Sequence, residues 1–430
     1  GGRLDLRRPG PFAANTVTIT DLISDGSAVV VLQTDGTDAD LLKITGSADG
    51  MITIDVRAAG SNPTKKEIEV VNAEEASGNA EFKLAGGKVD IGAHEYGLTH
   101  GEDANWYLKT EGELTKTAKS VETMPALHLS IVNAGMNELR KRLGDLRSGN
   151  PDAPAGVWVR GYGKRLRVHE RTGARLNMLG MEGGIDAAAE LFGGQTYLGV
   201  MGGYLSANDI RVFQSGAPDA KGHTKTPVAG LYATWLPHNS PWFVDLTARH
   251  FWVHTDLDNL SGGNRTNGYD IKRGFWAFTA ETGRLFDFDA PRVLNAGSSL
   301  ITFEPKIELR YVHGKAKDFT TDNGEIGSID STSSLVSRFN LQTSYLPEGR
   351  ASNWKLFLEL GLYNEWIGRT KVKFADTRLT TSDLSGLGVE ASLGFNAAVA
   401  ENAYCYGAVT LEAGEAYTSY QLNAGLRVSF

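Results

Sequence analysis

One cysteine, Cys405, in 430 residues leaves no partner for an internal disulfide. That excludes a small disulfide-stapled secreted domain and fits a membrane barrel or a cytosolic protein. Long apolar runs are missing as well. Stretches such as Ser27-Ala28-Val29-Val30-Val31-Leu32 are far too short for a membrane helix. Basic excess is absent: the formal net charge is −8, so no nucleic-acid partner is expected. Residues 1–20 are polar and glycine-rich without a signal-peptide pattern; if the protein is exported, its signal is expected upstream of a fragment or processed product. Aromatic residues are scarce early on: five precede Gly156 and thirty-four follow. That shift marks a domain boundary in a chain long enough for more than one folding unit.

From Asn15 to about Leu108 there are short apolar runs cut by Gly, Asp and Asn, such as Val17-Thr18-Ile19-Thr20, Met51-Ile52-Thr53-Ile54 and Ile68-Glu69-Val70-Val71. Runs this short, with turn residues between them, predict β-strands. Their spacing of about ten residues suits the rungs of a parallel β-helix, with a β-sandwich as the alternative. No metal-ligand spacing, Gly-x-Ser-x-Gly or phosphate loop occurs here. Glu111–Val121 reads as a polar linker.

The stretch Thr123–Leu146 has the period of one helix face at Leu129, Val132, Met136, Leu139, Leu143 and Leu146. Thr123 is the expected N-cap and Pro125 falls in the first turn; Gly144, Gly149 and Pro151 supply the stop. Twenty-four residues at 1.5 Å each make a rod of roughly 36 Å.

After Gly156 long runs alternate strictly. Ile301–Tyr311 does so, as does Trp354–Leu362, and Tyr420–Phe430 alternates to its last residue. Twelve such segments start near Val157, Arg175, Thr196, Thr226, Trp242, Tyr269, Leu300, Thr332, Trp354, Arg378, Asn402 and Ser419. An even number of strands, longer than the five or six residues common in soluble sheets, fits an outer-membrane barrel. Trp235, Trp242, Trp252, Trp276, Trp354 and Trp366 near strand ends suit interface girdles. A soluble sandwich is the alternative, since it would show the same alternation. The rod exceeds the ~25 Å apolar band of such barrels, so the helix is expected to thread the lumen. Its Arg140, Lys141 and Arg142 would then meet lumenal carboxylates; a solvated helix end is the plainer reading of that triplet. The fold expected is therefore all-β: a twelve-stranded transmembrane antiparallel β-barrel with a lumenal α-helix, preceded by the end of a parallel β-helix. A channel with a helical plug is the rival function. No nucleophile or metal constellation stands among the nine His residues, so no turnover enzyme and no cofactor is expected.

Several motifs carry a family resemblance. Asn137-Glu138-Leu139-Arg140-Lys141-Arg142-Leu143-Gly144-Asp145-Leu146-Arg147, then Asn150-Pro151-Asp152-Ala153 and Trp158-Val159-Arg160-Gly161, resemble the helix-to-barrel junction of monomeric autotransporters of type V secretion, in the pertactin-like style. Gly86-Gly87-Lys88-Val89-Asp90-Ile91-Gly92 and Asn105-Trp106-Tyr107-Leu108 resemble the end of a passenger β-helix, its autochaperone region. The resemblance implies passenger end at 1–110, linker and pore-threading helix at 111–150, and translocator barrel at 151–430. It implies a Gram-negative outer-membrane protein that anchors its own passenger and enables its export to the cell surface. Its implied partners are outer-membrane lipid, periplasmic chaperones and the barrel assembly machinery. That machinery would read the terminal strand with Leu426, Val428 and Phe430, which should face lipid and close the barrel near Trp158. Some relatives cut themselves at an Asn in the lumen with the help of acids. By motif position Asn137 matches the attacking residue, and Asp245, Glu281 and Glu308 match the acids. The pair here is Asn137-Glu138, where the family has Asn-Asn or Asn-Ala.

Overall fold

The computed structural model describes residues 2–59, 65–136, 154–169, 173–213, 220–260, 266–289, 299–379 and 383–430. Its first part winds as a parallel β-helix. Arg3–Asp5, Ala28–Thr34, Ala48–Ala58 and Ala80–Leu84 stack in parallel register along one wall. Thr16–Ile19, Leu41–Ile44 and Glu67–Asn72 stack along another. Parallel rungs rule out the sandwich alternative. Val30, Leu32, Leu42, Ile44, Ile52, Ile54, Val70 and Phe82 turn inward and form its core. Coil-to-coil stacking leaves no room at the corners. A Cβ on Gly50, which sits at φ +88°, would lie 2.0 Å from the Ser24 carbonyl oxygen. The last coil ends in antiparallel strands: Trp106–Lys109 pairs with Glu67–Asn72 on one side and His94–His100 on the other. This hairpin covers the end of the stack, where an open parallel edge would invite further pairing.

The helix α1 spans Lys116–Gly135, and its N-cap is Thr115, whose hydroxyl accepts from the Ala118 amide at 3.0 Å. The expected N-cap Thr123 and the expected linker 111–121 are therefore corrected: the helix starts inside that linker. Pro125 lies in the helix interior rather than the first turn. The reason is the environment. Lys116–Ser120 looks like solvent-exposed linker, yet the barrel wall offers its polar groups partners. The expected stop at Gly144, Gly149 and Pro151 lies outside the described residues. All of α1 except Lys116, Lys119 and Asn133 is buried, so it is enclosed on every side rather than on one face.

Twelve long strands follow: β1 (Ala155–Val168), β2 (Gly173–Leu191), β3 (Gly194–Phe213), β4 (Ala220–Pro237), β5 (Trp242–Leu260), β6 (Thr266–Arg284), β7 (Leu300–Gly314), β8 (Thr332–Leu346), β9 (Trp354–Glu365), β10 (Gly386–Ala400), β11 (Ala403–Gly414) and β12 (Tyr417–Ser429). Each pairs antiparallel with its neighbours, and β12 returns to β1 with Arg427 opposite Trp158. Closure removes both sheet edges. Period-two alternation then sorts the side chains: Leu356, Leu358, Leu360 and Leu362 stand outside while Lys355 and Glu359 are buried inside. Eleven expected strand starts lie within six residues of the observed ones. The tenth does not. Arg378 belongs to a short hairpin, Val372–Phe374 with Thr377–Arg378, which joins Lys317–Thr320 and Ile326–Ile329 in a separate sheet. The alternation of Val372-Lys373-Phe374 is real but belongs to this small sheet at the barrel mouth. Its Phe319, Ile329, Val372 and Phe374 share one buried cluster with Ala93 and with Ala118, Val121 and Met124 of α1. The mouth is thus packed shut around the first turns of the helix.

Candidate functional site

The lumen is the place where charged side chains collect, because alternation sends every second residue of twelve strands inward. α1 meets the wall through neutral groups along most of its length. Ser120 bonds the Tyr269 hydroxyl at 3.0 Å, and the His128 Nε2 lies 3.0 Å from the Thr255 hydroxyl. Its C-terminal end is held differently. Arg249 on β5 donates to the Gly135 carbonyl at 2.7 Å, and Arg310 on β7 donates to the Asn133 carbonyl at 3.1 Å. Arg249 thus satisfies a carbonyl of the last turn, Arg310 adds a second bond to the Asn133 carbonyl that the Met136 amide already reaches at 3.1 Å, and the charge of both opposes the negative end of the helix dipole.

Those arginines open a chain of buried ion pairs around the wall. Glu182 takes Arg160 at 2.8 Å and Arg249 at 3.4 Å. Glu308 takes Arg310 at 2.8 Å. Arg338 pairs with Glu390 and, at 3.3 Å, with Glu412, which also receives Lys164 at 2.5 Å. Near the inner rim Arg427 grips Asp186 through two bonds of 2.6 and 2.7 Å.

The three acids expected to act together are brought together. Asp245 stands directly opposite Glu281, and Glu281 directly opposite Glu308, on β5, β6 and β7. All three are buried and point inward. The Glu308 carboxylate touches Arg310, which holds the last turn of α1. Asn137, Arg140, Lys141 and Arg142 lie outside the described residues. Leu426 and Phe430 are 39% and 59% exposed on the outer face, with Val428 between them on the same side. The closing pair is complete to the terminus: Phe430 and Ala155 exchange backbone bonds of 3.0 and 3.2 Å. Sequence reasoning missed the wall cations Arg249, Arg310 and Arg338 as partners. Arg249 and Arg310 share inward faces with Asp245 and Glu308, and that parity was the available signal. Among the described residues no group of three or more His, Cys, Asp or Glu side chains is placed to hold a metal ion.

Where the β-helix passes into the barrel, Lys88 bridges Glu95 at 2.8 Å and Glu113 at 2.6 Å. The Lys88 hydrogen bond holds the Glu113 carboxyl below the usual glutamate range. In return Glu113 and then Glu95 push the Lys88 ammonium up. Backbone bonds from Glu95 to Glu113 at 2.9 Å and from Thr115 to Ala93 at 3.0 Å run alongside. The final hairpin is therefore stitched to the residues that cap the helix.

Residues 157–410 match the autotransporter beta-domain family, and residues 1–110 match the pertactin family. The chain belongs to the autotransporter family. It is 28% identical to the BrkA autotransporter of Bordetella pertussis over 448 residues, which covers 100% of this chain and 42% of that protein. The chain spans 25% to 46% of the length of the three curated relatives compared first. The beta domain of the Bordetella autotransporter BrkA superposes with a TM-score of 0.52 at 21% identity, over 64% of this chain and 100% of that one. The transport unit of the autotransporter AIDA-I from Escherichia coli gives 0.56 at 15% identity, over 72% and 99%. At these identities the likeness shows the fold. As an autotransporter beta domain, the barrel is an outer-membrane translocator rather than a plugged channel.

Proposed function

We propose that this autotransporter barrel anchors the end of its passenger and serves for the passenger's passage to the cell surface. One observation carries the reading: the chain runs without a break from the β-helix, through the Lys88 clamp, into a lumenal helix whose last described turn is pinned by Arg249 and Arg310. In this reading residues 1–110 stand outside the cell, 111–150 thread the pore and 151–430 span the membrane. The apolar band meets outer-membrane lipid. Periplasmic chaperones deliver the unfolded chain, and the barrel assembly machinery reads the strand that ends in Leu426, Val428 and Phe430. Protease added to intact cells tests the topology. Digestion of residues 1–110 with a protected barrel is expected; digestion only after the outer membrane is permeabilised would overturn it.

A finer reading is a single self-cleavage after Asn137, and the row Asp245–Glu281–Glu308 next to the helix C-terminus favours it. The Asn137 side-chain nitrogen attacks its own backbone carbonyl carbon and closes a succinimide. The bond to Glu138 breaks, and the proton lost from the side-chain amide passes through a carboxylate to the leaving Glu138 amine. Positioning in a narrow lumen would supply most of the rate. The negative charge of Glu138 among these acids opposes it. Mass spectrometry of the folded protein decides: a barrel chain beginning at Glu138, absent in Asn137→Asp, supports cleavage, and an intact bond after long incubation overturns it.

A further inference from the structure

The outer rim of β1–β4 carries a row of like charges in opposed register. Arg167 on β1 stands directly opposite Arg175 on β2. Arg175 stands opposite Arg211 on β3, and Arg211 opposite Lys221 on β4. All four are exposed on the outward face, as are Arg165 and Lys225 one or two pleats nearer the apolar band. Against them stand Asp209, 2.7 Å from Arg211, and Asp258, opposite Lys221 on β5. Like charges in opposed register weaken a sheet, and here three successive pairs do so. With strands about 4.8 Å apart, the row is about 15 Å long. Guanidiniums in such a row suit phosphate oxygens, which they bind through paired hydrogen bonds.

A second feature lies directly beneath it. Following β1 inward from Arg167 and Arg165, the next outward positions are Gly163 and Gly161. A Cβ on Gly161 would have its nearest neighbour 3.9 Å away, and one on Gly163 would have its nearest at 3.5 Å. The outward face is therefore bare there. Exposed Leu179 and Met181 on β2 border the bare strip on one side, and exposed Leu422 on β12 borders it on the other. Exposed Tyr420, opposite Arg165, stands between strip and row, and exposed Tyr204, opposite Met181, stands beside the strip itself. From outside to membrane the order is cations, one aromatic ring, then an apolar furrow one side chain deep and bordered by a second ring.

We propose that this face binds one phosphorylated glycolipid of the outer leaflet, with its headgroup phosphates on Arg167, Arg175, Arg211 and Lys221 and one acyl chain along Gly163 and Gly161. The order of the three zones matches such an amphiphile and no soluble anion. The full chain, purified in detergent, is incubated with lipid A, with phosphate-free lipid A, or with inorganic phosphate, and retained lipid is read by native mass spectrometry. Lipid A should be retained at least tenfold better than its phosphate-free form. The variant Arg167→Gln/Arg175→Gln/Arg211→Gln/Lys221→Gln should erase that preference, and replacing the three arginines by Lys should keep most of it. Gly161→Leu, which has room for a side chain, should lower retention severalfold while leaving the phosphate preference intact. Equal retention of both lipids, or an unchanged preference in the Gln variant, would overturn the proposal. Displacement of bound lipid A by millimolar inorganic phosphate would reduce the site to a phosphate site and overturn the lipid assignment. If the Gln variant does not fold, wild type is titrated from about 0.05 to about 0.5 M salt. Loss of retention across that range supports the proposal, and retention independent of salt refutes it.

Discussion

Removing Arg427 should damage the barrel far more than its place near the end of the chain suggests. Its guanidinium crosses over β1 and binds Asp186 on β2 at 2.6 and 2.7 Å. The two side chains are 4% and 0% exposed. The same carboxylate accepts from the Tyr232 hydroxyl on β4 at 2.7 Å, and Tyr232 accepts from the Trp158 indole on β1 at 2.8 Å. One buried acid thus ties four strands across the closing seam. Arg427→Leu leaves Asp186 charged, buried and held by a single hydroxyl, a loss of about 3–5 kcal/mol for a broken buried pair. Asp186→Leu strands the guanidinium and should lose a similar amount. The double variant replaces both charges by apolar groups and should recover much of the loss, with a coupling of about 2–4 kcal/mol. Urea unfolding of barrels reconstituted in lipid vesicles measures all four corners of the cycle. Single variants within about 0.5 kcal/mol of wild type, or an additive double variant, would refute the seam clasp.

Other outcomes follow from the same geometry. Leu426→Asp places a charge on the lipid face of the closing strand at a cost of up to a few kcal/mol, so the yield of membrane-inserted, heat-modifiable barrel should fall sharply. Arg249→Ala with Arg310→Ala removes both pins from the helix C-terminus and should raise single-channel conductance in planar bilayers; unchanged conductance would mean the helix is held elsewhere. The clamp at the barrel entry is acid-sensitive. A depressed Glu113 pKa contributes stability present above its unfolded value of 4.5 and lost as pH falls through its folded value. The raised Lys88 pKa contributes stability that is full below its unfolded 10.5 and lost only as pH rises through its higher folded value, so on the acid side the loss comes from Glu113 alone. Amide exchange at Glu95 and Thr115, corrected for its intrinsic pH dependence, should therefore quicken below that carboxylate range, and Glu113→Gln should flatten the response.

Parity is what alternation encodes, and parity was legible. It agrees with Asp245 and Glu308 inside and Leu426 and Phe430 outside, and it located eleven strands. Partnership is another matter. Arg427 and Asp186 are 241 positions apart, and only the closed register brings them together. Local composition misled where the barrel overrides it. Lys116–Ser120 resembles linker because its polar groups suggest water, yet Tyr269 and the Asn267 amide receive them inside the lumen. Arg378 fails for the opposite reason: its short alternating run has the pattern of a spanning strand without the length of one.

The unequal fastening of α1 bears on how the tether carries load. Near the mouth it is held by hydroxyl contacts such as Ser120 to Tyr269, and at its deep end by charged bonds from Arg249 and Arg310. Tension on the passenger runs along the rod, so the weak upper contacts slip first while the arginines resist in shear. A rivet set at the far end of its hole behaves this way: the outer portion works loose and reseats without the joint failing. Pulling at residue 110 in a force spectrometer should give small reversible steps before one large rupture, and only the rupture should shrink when Arg249 and Arg310 are replaced.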